Sequence, residues 1–157
     1  MVIRDLTDAD YTDILALYTE LDRIHYETRP DYFGKRACSY PKDAYDVCLA
    51  DDDVLMLGAF EGDQLLGFVR ATLWEKSGMI EGIKTVCLDN IYVHPQARRK
   101  GIAKELFAAV EEWARKKQAV RLDLHVWDFN KEALSLYKSM GMNFQYHVME
   151  KSLNPEN

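Results

Sequence analysis

One stretch limits what this chain can fold into more than any other. Leu88-Asp89-Asn90-Ile91-Tyr92-Val93 is followed by His94-Pro95-Gln96-Ala97, and then by Arg98-Arg99-Lys100-Gly101-Ile102-Ala103 at the head of a long amphipathic segment. The first six residues read as the end of a strand spanning Val86 to Val93, which Pro95 stops because proline cannot donate to a ladder. From Lys100 to Lys117 the apolar residues Ala103, Leu106, Phe107, Val110, Trp113 and Ala114 trace one helical face. A strand that runs through a glycine-containing turn into a helix must lay that helix back over its sheet, which places the chain in the α/β class. The junction also gathers unpaired N–H groups at the positive end of the helix dipole, the makings of an anion site. Gly101 lets the backbone come close to a diphosphate, and the small Ala103 keeps the first turn open.

The flanking sequence extends the pattern. Val2 to Leu6 reads as a short strand, and Thr7-Asp8-Ala9-Asp10 as a capping box opening a helix with Ile14, Leu17, Leu21 and Ile24 on its buried stripe. His25 to Tyr45 is aromatic rather than periodic and reads as a loop, followed by a short helix from Lys42 to Leu49. Val54 to Phe60 and Leu65 to Trp74 flank the turn Glu61-Gly62-Asp63 as a hairpin. Glu75 to Lys84, with Gly78 and Gly82, reads as a mobile loop. Val120, Leu122, Leu124 and Val126 alternate with polar residues as a strand, Asn130 to Met140 is helical and is stopped by Gly141, and Asn143 to Glu150 reads as a closing strand. The expected order is β-α-α-β-β-β-α-β-α-β, a mixed α/β sheet covered by helices. It forms one domain over residues 2–150, with a short tail at 151–157.

Composition removes several function classes. The net charge is −6, and without Arg98, Arg99, Lys100 and Lys104 the remainder carries −10. Such a surface repels nucleic acid while leaving one basic knot for an anion. No window approaches eighteen apolar residues and the N-terminus lacks a signal-type apolar core, so a cytoplasmic protein without a membrane span is expected. Cys38, Cys48 and Cys87 are an odd number without metal-type spacing, and all three read as packing residues, with no metal site expected. The anion turn is neither a Walker loop, which needs Gly-Lys-Ser/Thr, nor a Rossmann turn, which needs a third glycine and a later acid.

Arg98-x-x-Gly101-x-Ala103 resembles the phosphate loop of the GNAT acetyltransferase family. Asn130-x-x-Ala133-x-x-x-Tyr137-x-x-x-Gly141-Met142 is similar to that family's later motif, at the correct spacing. The resemblance covers roughly residues 2 to 150. It implies the GNAT fold, acetyl-coenzyme A as acetyl donor, a primary amine as acceptor, and a homodimer. It also implies that Arg98, Arg99, Lys100, Gly101, Ile102 and Ala103 hold the diphosphate, that Asn130 and Ala133 face the pantetheine arm, and that Tyr137 lies near the thioester sulfur. In such a fold the strand before the loop splays from its neighbour, so Ile91, Tyr92 and Val93 can pair with the pantetheine as a strand would, and one of their N–H groups can polarise the thioester carbonyl.

The reaction implied is direct attack by a neutral amine. An alkylammonium with a pKa near 10.4 must lose a proton first, and Tyr137 is the expected acid for the departing thiolate. Two residues remain open as the base: Asp89, read as sharing a face with Ile91 and Val93, and His125 at the end of the next strand. Tyr26, Glu27, Asp31, Tyr32 and Phe33 are the candidate acceptor residues, because rings and carboxylates together suit an ammonium group. The acceptor stays open among small amines, polyamines and peptide or protein amines. Two other readings use the same cradle: a non-catalytic acyl-coenzyme A sensor and a nucleotide binder.

Overall fold

A computed structural model of the protein describes residues 1–35, 38–76 and 82–153. The contacts fall into two compact units, Met1–His125 and Val126–Asn157. The first holds β1 (Val2–Asp5), α1 (Tyr11–Thr28), α2 (Lys42–Ala50), β2 (Val54–Glu61), β3 (Gln64–Lys76), β4 (Ile83–Val93), α3 (Ile102–Lys116) and β5 (Arg121–Leu124), and the second holds α4 (Lys131–Ser139). The strands form one sheet in the order β1-β2-β3-β4-β5, antiparallel throughout except for the parallel β4–β5 pair. This is the mixed α/β sheet that the alternating periodicities imply.

Helices cover both faces of the sheet. Ile14, Leu17 and Tyr18 of α1 and Tyr45 of α2 pack with Met56, Phe60, Phe68 and Tyr92 in one apolar cluster. On the opposite face α3 lies against β2, β3 and β4, burying Ile102, Leu106, Phe107, Val110 and Ala114. Strand alternation divides the two sides, so Phe68 belongs to the α1 cluster while its buried neighbour Val69 points the other way.

Element boundaries moved where side-chain patterns are weak. Helix α1 runs on to Thr28, so Tyr26 and Glu27 sit on its last turn and not in a loop. β3 and β4 reach further than expected, with Glu75 paired to Lys84, and the remainder of that expected loop, residues 77–81, lies outside the described residues. The closing strand expected over residues 143–150 is not among the elements. A strand exists only through a neighbour's ladder, and alternation of side chains does not by itself supply one. Cys38 is exposed, so only Cys48 and Cys87 are partly enclosed as packing residues.

The entry to α1 is fixed electrostatically. The Asp10 carboxylate accepts from the Thr7 amide and hydroxyl at 2.8 Å each, and Arg4 grips both its oxygens at 2.8 and 2.9 Å. Asp10 is buried, and the Arg4 guanidinium, with Thr7, holds its carboxyl far below the usual carboxylate range. A group depressed in this way stabilises the fold above its unfolded pKa of roughly 3.9, and that contribution is lost as pH falls toward the folded value. Asp10→Asn is therefore expected to lower the unfolding free energy at pH 7 by about 1–3 kcal/mol and to flatten its dependence on pH between about 5 and 2. Urea titrations across that range check both effects.

Candidate active site

β4 carries one residue too many for its partner. Arg70 of β3 pairs with Asn90, yet the next residue, Ala71, pairs with Leu88, which leaves Asp89 as the extra residue of a β-bulge. A bulge lets two consecutive side chains share a face, and both contacts show it. Tyr18 of α1 donates to Asn90 Oδ1 at 3.1 Å, and Thr72, on the same face of β3 as Phe68 and Arg70, donates to Asp89 Oδ2 at 2.6 Å. Asp89 thus lies on the α1 and α2 face with Asn90 and Tyr92. The expectation that it shares a face with Ile91 and Val93 is corrected, because the strict period of two fails at the inserted residue.

The same irregularity opens the strand's other edge. The parallel ladder to β5 ends at Leu88 with Leu124, although β4 continues to Val93. His94 N–H donates to Leu66 O at 2.8 Å, so the backbone groups of His94, Tyr92 and Asn90 face β3, and by alternation those of Ile91 and Val93 face away from it. Val93 O accepts from Arg98 Nε at 3.1 Å, which agrees with that direction. Of the three strand residues expected to meet a pantetheine arm, Ile91 and Val93 present main-chain groups to the open edge. Tyr92 contributes its side chain instead. Its hydroxyl donates to Glu20 at 2.8 Å, and burial, with Glu20 beside it, pushes the phenol up to about 12.

Beyond β4 a short 3-10 turn, Pro95–Ala97, leads into the anion loop. His94 Nδ1 accepts from the Gln96 amide at 3.3 Å, and its Nε2 lies 3.9 Å from Glu20. Arg99 and Gly101 both have left-handed backbones, φ 65° and 85°, and Gly101 is the N-cap of α3 with no side-chain cap. Alternating left-handed residues turn successive amides to one side and form a nest for an anion. Among the described residues the amides of 99–103 find no backbone acceptor, whereas those of Lys104 and Glu105 both bond Gly101 O. Arg98 is folded back onto β4 and anchors the loop, while Arg99 and Lys100 are exposed and add charge. This amide nest beside an open strand edge fits a diphosphate carrying an extended amide-bearing arm.

In the second unit Asn130 caps α4, its Oδ1 accepting from the Ala133 amide at 3.1 Å, so the side-chain N–H₂ is what it can offer a ligand. Gly141, with φ 86°, closes the helix: its amide bonds Lys138 O and that of Met142 bonds Tyr137 O, each at 3.1 Å. Tyr137 is buried, and that burial pushes its phenol up to about 12, so it stays protonated at neutral pH.

The remaining site candidates are placed as follows. His125 is exposed, one residue beyond β5. Glu27 is paired with Arg23 and Asp31 with Arg29, so both carboxylates are committed to local ion pairs. Phe33 packs against His25 with ring centroids 5.1 Å apart and the planes tilted by 41°, Tyr32 is exposed beside Arg29, and Tyr26 lies under Lys35. Sequence reasoning missed Asp22, one turn after Tyr18 on α1, whose Oδ2 is buried without a hydrogen-bond partner among the described residues. It also missed Arg70 and Thr72; a polar pair facing one carboxylate across a bulge leaves no linear signature. Beside them the Cys87 thiol is pushed up to about 12 by burial and by the Asp89 and Asp123 carboxylates.

The family model described as Acetyltransferase (GNAT) family matches residues 14–142. The thialysine N-epsilon-acetyltransferase of Mus musculus is 28% identical over 147 residues, covering 88% of this chain and 82% of that one. The bovine (Bos taurus) protein of the same name is 28% identical over 144 residues, covering 90% and 83%. Among solved structures, a variant of the BH1408 protein of Bacillus halodurans superposes with a TM-score of 0.93 at 25% identity, covering 98% of this chain and 100% of that one. The aminoglycoside N-acetyltransferase AAC(6')-Iy, solved in complex with CoA, gives 0.74 at 19% identity, covering 98% and 99%.

A Cβ added at Gly101 would meet nothing within 4 Å, so any cost there is conformational and not steric. Gly101→Val is expected to strain the loop by about 1–3 kcal/mol and to weaken coenzyme A binding at least about tenfold if the nest relaxes to relieve it. Calorimetric titration with far-ultraviolet dichroism as a fold control measures this.

Proposed function

Because this chain belongs to the acetyltransferase (GNAT) family, whose members move acetyl from acetyl-coenzyme A to amines, we propose that it does so by direct attack of a neutral primary alkylamine, with its own main chain and side chains in defined roles. The observation that carries this reading is the adjacency of an amide nest at residues 99–103 to an edge at Ile91 and Val93 that the β5 ladder does not reach. The nest and the Gly101 turn hold the diphosphate, and the open edge orients the pantetheine arm by β-augmentation. Acetyl-coenzyme A supplies an activated acyl group on a thiol leaving group. The Ile91 N–H stabilises negative charge developing on the acyl oxygen.

Asp89 accepts the proton from the amine nitrogen as the new C–N bond forms, when that nitrogen becomes acidic enough for a carboxylate to take it. Tyr137 gives its phenolic proton to the departing sulfur as the C–S bond breaks. Asn130 and Ala133 line the arm. His125, exposed beyond β5, is the weaker candidate for the base. The acceptor approaches from the α1 side of β4, where Tyr26, Tyr32 and Phe33 supply rings. Relatives named for the ε-nitrogen of thialysine, and neighbours named for aminoglycosides, favour a primary alkylamine. Asp22 Oδ2, buried without a donor, is a place for an N–H of that acceptor. A cytoplasmic location and a homodimer belong to the same proposal; no helix among the described residues is long and apolar enough to cross a membrane.

Tyr137→Phe is expected to lower kcat by roughly 10²–10⁴ while coenzyme A affinity is unchanged. A variant that binds and still turns over removes the proposed acid, and a wild-type chain that binds acetyl-coenzyme A but releases no thiol with any amine supports a sensor instead. Asp22→Ala is expected to raise the acceptor KM about tenfold with the acetyl-coenzyme A KM unmoved, read from initial rates varying each substrate in turn.

A further inference from the structure

The carboxylates on the α1 side of the sheet differ in what is left of them. Glu20 takes the Tyr92 hydroxyl on one oxygen and faces His94 with the other, Glu27 is taken by Arg23, and Asp31 by Arg29 through both oxygens. Asp89 is different. Thr72 Oγ1 at 2.6 Å and Arg70 Nε at 3.3 Å both donate to the same oxygen, Oδ2, and Oδ1 receives no hydrogen bond among the described residues. The side chain of Asp89 is 18% exposed, and Oδ1 is not among the fully buried oxygens that lack a partner, so the carboxylate keeps an accessible side, with the Cys87 thiol as its other neighbour.

Two donors on one oxygen fix the plane of the carboxylate. Its two rotatable bonds would otherwise let it swing, and the bulge that places it has no ladder of its own to hold it. Thr72 lies on β3, paired with both Val54 and Cys87, so its hydroxyl is carried by a strand with neighbours on each side. The threonine hydroxyl can donate its single proton to only one acceptor, and here it is spent on Oδ2.

We propose that Thr72 is a positioning residue for acetyl transfer. Its hydroxyl clamps Oδ2 of Asp89 so that Oδ1 is presented to the attacking nitrogen, and the adjacent Arg70 guanidinium gives the same oxygen a second donor while disfavouring the charged form of an approaching amine. This rests on the reading of Asp89 as the base. The bond that forms is amide C–N, the bond that breaks is C–S, and the proton lost by nitrogen goes to Asp89 Oδ1, so Thr72 itself exchanges nothing.

Thr72→Val keeps the shape and removes the donor, whereas Thr72→Ser keeps the donor and loses a methyl. The expected result is a kcat at least about tenfold lower for Thr72→Val, with the acetyl-coenzyme A KM unchanged and wild-type turnover largely restored in Thr72→Ser. The split between a lowered kcat and an unmoved acetyl-coenzyme A KM, with rescue by the conservative Thr72→Ser, is the pattern that a role in aiming Asp89 gives. Packing alone predicts the opposite order, Ser worse than Val, and that result overturns the proposal. Asp89→Asn separates the two layers. If it retains full turnover, the base assignment fails and this inference with it. If Asp89→Asn is inactive while Thr72→Val matches wild type, only the role of Thr72 is lost.

Discussion

An antiparallel pair cannot absorb an extra residue into its pleat, so one strand must bend and its side chains must lose their alternation. In this protein that residue is Asp89, and most of what the first unit can do follows from it. The bend ends the β4–β5 ladder at Leu88 and leaves Ile91 and Val93 with main-chain groups that no strand takes. It also turns Asp89 and Asn90 to one face together, which brings a carboxylate beside Arg70 and Thr72. An open strand edge and a carboxylate near it are therefore consequences of a single insertion.

A bulge of this kind must be held from outside the ladder, and α1 supplies the grip. Tyr18 bonds Asn90 and Glu20 receives the Tyr92 hydroxyl, so two side chains two residues apart on the helix meet two side chains two apart on the strand. Tyr18 is itself packed between Tyr40 and Phe68, and burial pushes its phenol up, keeping it a donor. From below, β3 comes so near that a Cβ at Gly67 would lie 2.6 Å from Tyr92 O. Arg98 then ties the anion loop to Val93. Loop, strand end and helix form one connected support, in which the Arg4–Asp10 pair fixes where α1 begins.

Regular elements were legible because their signals are local. The stripe on α3, the Gly62 turn, the Asn130 cap and the left-handed Gly101 and Gly141 each follow from a few neighbouring residues. The bulge was not, since Leu88 to Val93 reads as an unbroken strand and only the partner's register shows that Asp89 is surplus. Glu27 and Asp31 looked like recognition groups because their partners, Arg23 and Arg29, are close in sequence yet become ion pairs only once α1 extends to Thr28. Asp22 was invisible for the converse reason: an acid on an amphipathic helix is ordinarily solvated, and its buried oxygen is known only from packing. The pattern over residues 143–150 alternates as a strand would, but alternation describes a face and not the ladder that makes a strand.

The division of labour between main chain and side chains bears on how far such a sequence can drift. Amides at 99–103 and at Ile91 and Val93 are present whatever the residue, apart from proline, so a diphosphate and an arm can be held with few demands on side-chain identity. What must persist is backbone shape: a glycine where φ is positive, a surplus residue in β4, and small side chains where strands touch. That accounts for a close structural likeness at low sequence identity, and for the concentration of recognisable letters in the loop and the α4 cap. Acceptor choice has no such main-chain anchor. The side chains proposed to make it, such as Tyr26 and Asp22, stand on a helix whose own formation needs only its apolar stripe, so that part of the molecule is free to change partners without disturbing the cradle.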